Sequence, residues 1–165
     1  MLENSRSVLH DQFVRAFVDP GDKIIPVSSG ELARVARLLS TQLPAAYVQF
    51  MRQYGPVCCH SIVRLLAEHG LSYADLRQML APQEVLKKSR DLWCRQLPVD
   101  VFVFALDSTR NAFCFRQSRS AQDDAPVLWF SVQREKLVEI GESFDGLLRR
   151  YVKALRPSPV PVASS

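Results

Sequence analysis

The sequence of 165 residues contains no apolar run of the about 18 residues that a helix needs to cross a bilayer. Its first segment, MLENSRSVLHDQF, mixes acidic, basic and amide side chains and has no apolar stretch of signal-peptide length. We therefore expect a cytoplasmic protein that makes no contact with membranes.

Motifs typical of common enzyme classes are also absent. The chain has no Gly-x-Gly-x-x-Gly, no P-loop and no Gly-x-Ser-x-Gly. Its cysteines show no Cys-x-x-Cys spacing and fit no zinc pattern, so we expect reduced, mostly buried thiols and neither metal nor cofactor. An enzyme built on Cys58 and His60 remains a hypothesis, but such a pair also needs an orienting group and a pocket. The simpler interpretation is that these cysteines are core thiols beside a surface histidine. On this interpretation we predict no catalytic residue. The cysteines are Cys58, Cys59, Cys94 and Cys114.

The composition is typical of a globular domain, with 47% hydrophobic and 23% charged residues. The net charge of +4 is unevenly spread, because residues 100–145 carry 5 basic and 8 acidic side chains. Basic residues are scattered along the sequence rather than grouped with aromatic ones, which argues against direct binding of nucleic acid. We expect a protein partner instead.

Apolar periodicity and turn residues predict a helical first half. Ser28 and Glu31 form a capping-box pattern before the second helix, and Pro44 stands at the start of the third. The segment CCHSIVRLLAEHG is compatible with strand then helix or with helix throughout, and we favour helix from Ser61. The predicted helices cover 5–18, 29–39, 44–54, 61–69, a short one of 72–80 capped by Ser72 and Asp75, and 82–95.

The last third predicts a β-meander followed by a helix over 143–155. Strands are expected at 99–106, 111–116, 126–132 and 137–140, and their short connections favour antiparallel pairing. Asn111 is the candidate for a positive φ angle in the first hairpin. The predicted fold is α+β: an antiparallel meander of about four strands packed with N-terminal helices and a closing C-terminal helix. We expect one domain over 1–155 and a disordered tail over 156–165.

Two segments of this pattern resemble the SUKH superfamily. LPAAYVQFMRQYG (43–55) is similar to its Leu-Pro and aromatic helix, and GESFDGLLRRYV (141–152) to its closing helix. Order and spacing fit over roughly 22–153. The chain departs from the family in having Gly55-Pro56 instead of Gly-Gly and in its long helix-rich stretch 57–96.

The resemblance implies a non-enzymatic immunity protein that binds a cognate bacterial toxin and occludes its active site. The alternative is an intracellular scaffold or regulatory module, since the fold is shared with a yeast cell-wall synthesis regulator. Acidic loops would suit the basic cleft of a toxin that acts on nucleic acid, such as a nuclease. We expect a monomer or weak homodimer. The predicted partner-binding residues are Asp107, Thr109, Arg110, Arg119, Asp123 and Asp124.

Overall fold

The computed structural model describes residues 2–70 and 74–155. Within these ranges the chain forms six helices and a five-stranded sheet. In chain order they are α1 (Leu2–Phe17), α2 (Ser29–Leu38), α3 (Ala45–Gln53), α4 (Ile62–Glu68), β1 (Gln78–Met79), α5 (Pro82–Trp93), β2 (Val101–Leu106), β3 (Ala112–Arg116), β4 (Val127–Ser131), β5 (Lys136–Gly141) and α6 (Phe144–Ala154). The predicted α+β class is confirmed.

The predicted capping box at the start of α2 is confirmed. Ser28 Oγ accepts a hydrogen bond from the Glu31 amide, and the Ser28 amide donates to the Glu31 carboxylate, both at 3.2 Å. These two bonds satisfy amides that a helix start otherwise leaves unpaired. The third helix begins one residue later than expected, because Pro44 is its N-cap and α3 starts at Ala45.

The predicted short helix over 72–80 is wrong in its described part. Ser72 lies outside the described residues, whereas 74–80 is extended and contains β1. The Asp75 carboxylate accepts bonds from the amide and hydroxyl of Ser108 instead of capping a helix. Contacts with a distant hairpin have therefore overridden the local capping pattern.

The sheet is antiparallel throughout, in the order β1-β2-β3-β4-β5. Four strands match the predicted meander, and β1 is an additional strand that pairs Gln78 with Leu106. The positive φ angle of the β2–β3 hairpin belongs to Arg110 (64°), so the expectation for Asn111 is wrong. Asn111 instead accepts a bond from the Val132 amide through its side chain.

The core is built from aromatic side chains between the sheet and three helices. Phe104 and Phe115 of neighbouring strands stack with ring centroids 4.2 Å apart, and Tyr47 of α3 and Phe144 of α6 contact both edge to face or tilted. Phe13 of α1 packs near the same cluster. β3 is buried from Ala112 to Phe115. The expected tail over 156–165 lies outside the described residues.

Candidate partner-binding site

The β2–β3 turn carries three of the predicted contact residues, but its carboxylate faces inward. Asp107 is only 6% exposed. Its Oδ1 accepts bonds from the Thr109 amide and hydroxyl and from the Asn111 amide, at 2.8–2.9 Å. Its Oδ2 accepts from Trp129 Nε1 at 3.0 Å. Asp107 therefore shapes the hairpin, and Thr109 and Arg110 are the exposed side chains at its tip.

The β3–β4 loop carries the other three predicted residues, and one of its two carboxylates also serves the fold. Asp124 Oδ1 accepts from the Phe144 amide at 2.8 Å and Oδ2 from the Asp145 amide at 3.0 Å, at the first turn of α6. Burial raises the pKa of Asp124 in spite of these bonds. The carboxylates of Asp107 and Asp124 are therefore engaged within the fold, and contact of the six residues with a partner stays a prediction.

Asp123 is exposed, and its neighbour in space is α1. Its carboxylate accepts from the Arg6 guanidinium at 2.6 Å, which lowers the pKa of Asp123. Arg6 and Asp123 lie at the rim of a depression of about 740 Å³ between α1 and α3. Arg119, in the same loop, is exposed.

The two loops lie at opposite ends of the sheet. One precedes β3 and the other follows it, so a strand of five residues separates them, about 17 Å at roughly 3.4 Å per residue. The six predicted residues therefore do not form one continuous acidic surface.

A histidine–carboxylate pair lies in the core, but its surroundings are structural. His10 is fully buried, with Nε2 2.7 Å from Asp145 Oδ1, and its ring packs edge-on against Phe50 and Phe144. Arg6 Nε donates to the other Asp145 oxygen at 2.7 Å. Burial opposes ionisation of Asp145, but these two partners outweigh it and lower its pKa. His10 Nδ1 has no partner among the described residues and thus meets no hydroxyl or thiol nucleophile.

The cysteine cluster lacks the features of a reactive site. Cys59 is buried, Cys58 is partly buried, and burial raises the pKa of both thiols. A thiolate nucleophile needs the opposite shift. The described part of the chain also holds no group of three or more metal-ligating side chains.

A cationic surface that the sequence did not predict runs from α2 along α5 to the β2–β3 turn. A groove of about 310 Å³ separates α2 from α5, and one of about 430 Å³ separates the end of α5 from the turn. Asp91 lines both grooves. A third, of about 330 Å³, shares Arg110 with the second. We call this surface the basic band; its cations are Arg34, Arg77, Lys87, Lys88, Arg90, Arg95 and Arg110.

Only part of the band has a sequence signal. Lys87 and Arg90 are three residues apart within α5, so they lie on one face of that helix. The placement of Arg34 and Arg110 beside that face depends on how α2 and the hairpin pack, which periodicity does not encode.

Comparison with protein-family models matches residues 26–150 to the SMI1 / KNR4 family (SUKH-1). This protein belongs to that family. The match confirms the SUKH resemblance and indicates a toxin-immunity or SMI1/KNR4-like protein of a generally non-catalytic family. It begins before α2, so α1, which supplies Arg6 and His10, lies outside the SUKH-1 match. No match to a curated protein was found. None of the described helices has the length and apolarity needed to cross a membrane.

Proposed function

We propose that this SUKH-1 protein is a non-enzymatic immunity protein that binds a cognate bacterial toxin and occludes its active site. The observation that carries the proposal is the family match over 26–150. The protein would act in the cytoplasm as a monomer or weak homodimer, as one domain over 1–155, without cofactor or direct binding of nucleic acid.

The use of the buried ionisable groups supports a binding role rather than a catalytic one. Asp75, Asp107 and Asp124 accept hydrogen bonds that hold turns and a helix start. Asp145 pairs with Arg6 and His10 across two helices. Since these groups are engaged by the fold itself, we infer that function resides in exposed side chains.

The exposed members of the predicted contact set remain part of the proposal. Thr109 and Arg110 stand at the hairpin tip, and Arg119 and Asp123 at the opposite end of the sheet. Because the two pairs lie at different ends of the sheet, they would form two separate patches of contact with the toxin. Asp107 and Asp124 would contribute indirectly, by holding the loops that present the others.

Protection of cells is the decisive experiment. A candidate toxin domain encoded beside this gene is expressed under an inducible promoter, with or without this protein. Survival together with a one-to-one complex in size-exclusion chromatography is expected. The matched control is a variant with a disrupted core, Phe104→Asp, which should protect poorly because it introduces an unpaired charge at a fully buried position.

The same experiment separates the alternative function. An intracellular scaffold or regulatory module would bind proteins of its own cell and give no protection against any neighbouring toxin. Loss of viability with the protein present, and no complex on the column, would contradict the immunity proposal.

A further inference from the structure

We propose that the basic band is the surface that binds the partner, and that the partner presents an acidic protein face to it. The inference rests on the proposed function in taking the partner to be a protein toxin. It assigns a negative charge to the partner's contact surface. The sequence alone suggested the opposite, a partner with a basic cleft.

The first argument is the excess of uncompensated charge. The linings of the three grooves contain seven cations and three carboxylates, Glu31, Asp91 and Asp107. Glu31 is held by the Ser28 capping box and Asp107 by the hairpin. None of the seven cations forms an ion pair with a described carboxylate. Like charges brought together without counter-charges favour an anionic partner.

The second argument is continuity. Asp91 lines both the α2–α5 groove and the groove at the end of α5, and Arg110 lines the latter and the groove beside Arg77. The cations therefore border one connected surface. A single partner domain can therefore cover it.

The third argument is the apolar floor of the α2–α5 groove. Val35, Pro82 and Leu86 line it beneath Arg34, Lys87 and Arg90. An apolar centre within a charged rim is the usual anatomy of a protein–protein contact. An apolar side chain of the partner would enter this groove while carboxylates around it meet the rim.

A protein fits the band better than a nucleic acid does. Asp91 is exposed in the middle of the band and lacks an ion-pair partner among the described residues. It would repel a nucleic-acid backbone, which carries a phosphate at every position, whereas a polypeptide can place a backbone or side-chain N–H donor opposite it. Single-stranded nucleic acid also needs exposed aromatic rings for stacking. Trp93, at the end of α5, is partly buried and donates its indole N–H to the Val101 carbonyl at 2.7 Å.

The test compares two triple variants of equal charge change. The band variant is Lys87→Glu, Arg90→Glu and Arg95→Glu. The control is Arg149→Glu, Lys153→Glu and Lys23→Glu, which lie away from the band. Each set has one residue within a helix, one in a last helical turn and one in a loop, and all six are exposed.

Binding is measured at low salt to poly-L-glutamate of about 20 residues and to a DNA duplex of matching charge. We expect poly-L-glutamate to bind the wild type more tightly than DNA does, and the band variant to lose about tenfold or more of that affinity while the control loses far less. Equal losses in the two variants, or tighter binding of DNA, would overturn the inference.

The protection assay with the same variants keeps the two proposals apart. If the wild type and both variants protect equally, the immunity function stands and the band is not its contact surface. If the band variant alone fails to protect, both proposals are supported. If the wild type gives no protection, the immunity proposal fails, and the poly-L-glutamate comparison still decides whether the band binds an acidic polypeptide.

Discussion

Replacing Asp107 should destabilise the protein although the residue lies in a surface hairpin. In Asp107→Ala, the Thr109 amide and hydroxyl can turn to water at the exposed tip, but the Asn111 amide and the Trp129 indole are partly buried. A hydrogen bond to a charged group contributes about 1.5–3 kcal/mol. Loss of the two partly buried bonds should therefore lower the free energy of unfolding by about 3–6 kcal/mol.

The Asp107→Asn variant refines the same prediction. It keeps a carbonyl oxygen for the Asn111 and Thr109 amides but directs an NH₂ group at the Trp129 indole, which is itself a donor. We expect a smaller loss of stability, of about 1–3 kcal/mol, because one bond and the charge are removed.

Chemical and thermal denaturation measure both effects. In a chain of this length each kcal/mol corresponds to about 2–4 °C in Tm, so Asp107→Ala should melt at least about 6 °C below wild type. The control is Asp123→Ala, which removes an exposed carboxylate paired with Arg6 and should shift Tm by no more than about 2 °C. If Asp107→Ala melts like this control, the inward-facing carboxylate contributes little and the argument from its bonds is refuted.

Three further predictions concern other parts of the molecule. Gly55→Ala should be among the most damaging substitutions, because Gly55 has a φ of 71° and a Cβ there would overlap a backbone carbonyl. Gly70→Ala has the same left-handed strain without an overlap, so in urea unfolding it should cost only about 1–2 kcal/mol, and equal losses would contradict the steric argument. Asp145→Asn should differ from wild type most above the ordinary carboxyl pKa of 3.8. The lowered pKa of Asp145 means that its stabilising charge is complete above that value and is lost as the pH falls through the folded-state pKa, so unfolding curves of the two proteins should converge in acid. Cys94, which is exposed, should be alkylated before Cys58, whose pKa is raised by burial; peptide mass spectrometry that found Cys58 reacting first would instead favour the enzyme hypothesis.

The parts of the fold that sequence predicted well are those encoded by neighbours in the chain. The Ser28 capping box and the helix of 82–93 depend on residues within a few positions of each other, and the four-strand meander pairs strands that follow one another directly along the chain. The segment 74–80 depends on distant partners instead. Leu76 donates its amide to the Tyr151 hydroxyl, and Arg77 donates its amide to the Leu106 carbonyl. No local pattern contains those contacts.

The orientation of the candidate contact residues was harder to predict for the same reason. Two aspartates in polar loops suggested free carboxylates, but Asp107 is 22 residues from Trp129 and Asp124 is 20 residues from Phe144. Which carboxylate faces inward is decided by strand register and by the docking of α6. The basic band likewise assembles cations from 34 to 110 that the sequence shows only as scattered.

The engagement of the β3–β4 loop has an evolutionary consequence. Asp124 holds the start of α6 through two backbone amides, so a substitution at this position in the loop risks the closing helix. The outward face of α5 has no comparable structural role, since Lys87 and Arg90 form no ion pair with any described residue. Under the proposed immunity function, a lineage that meets changing toxins can therefore alter that helix face step by step at little cost in stability. The outward face of α5 would then diverge much faster than the β3–β4 loop.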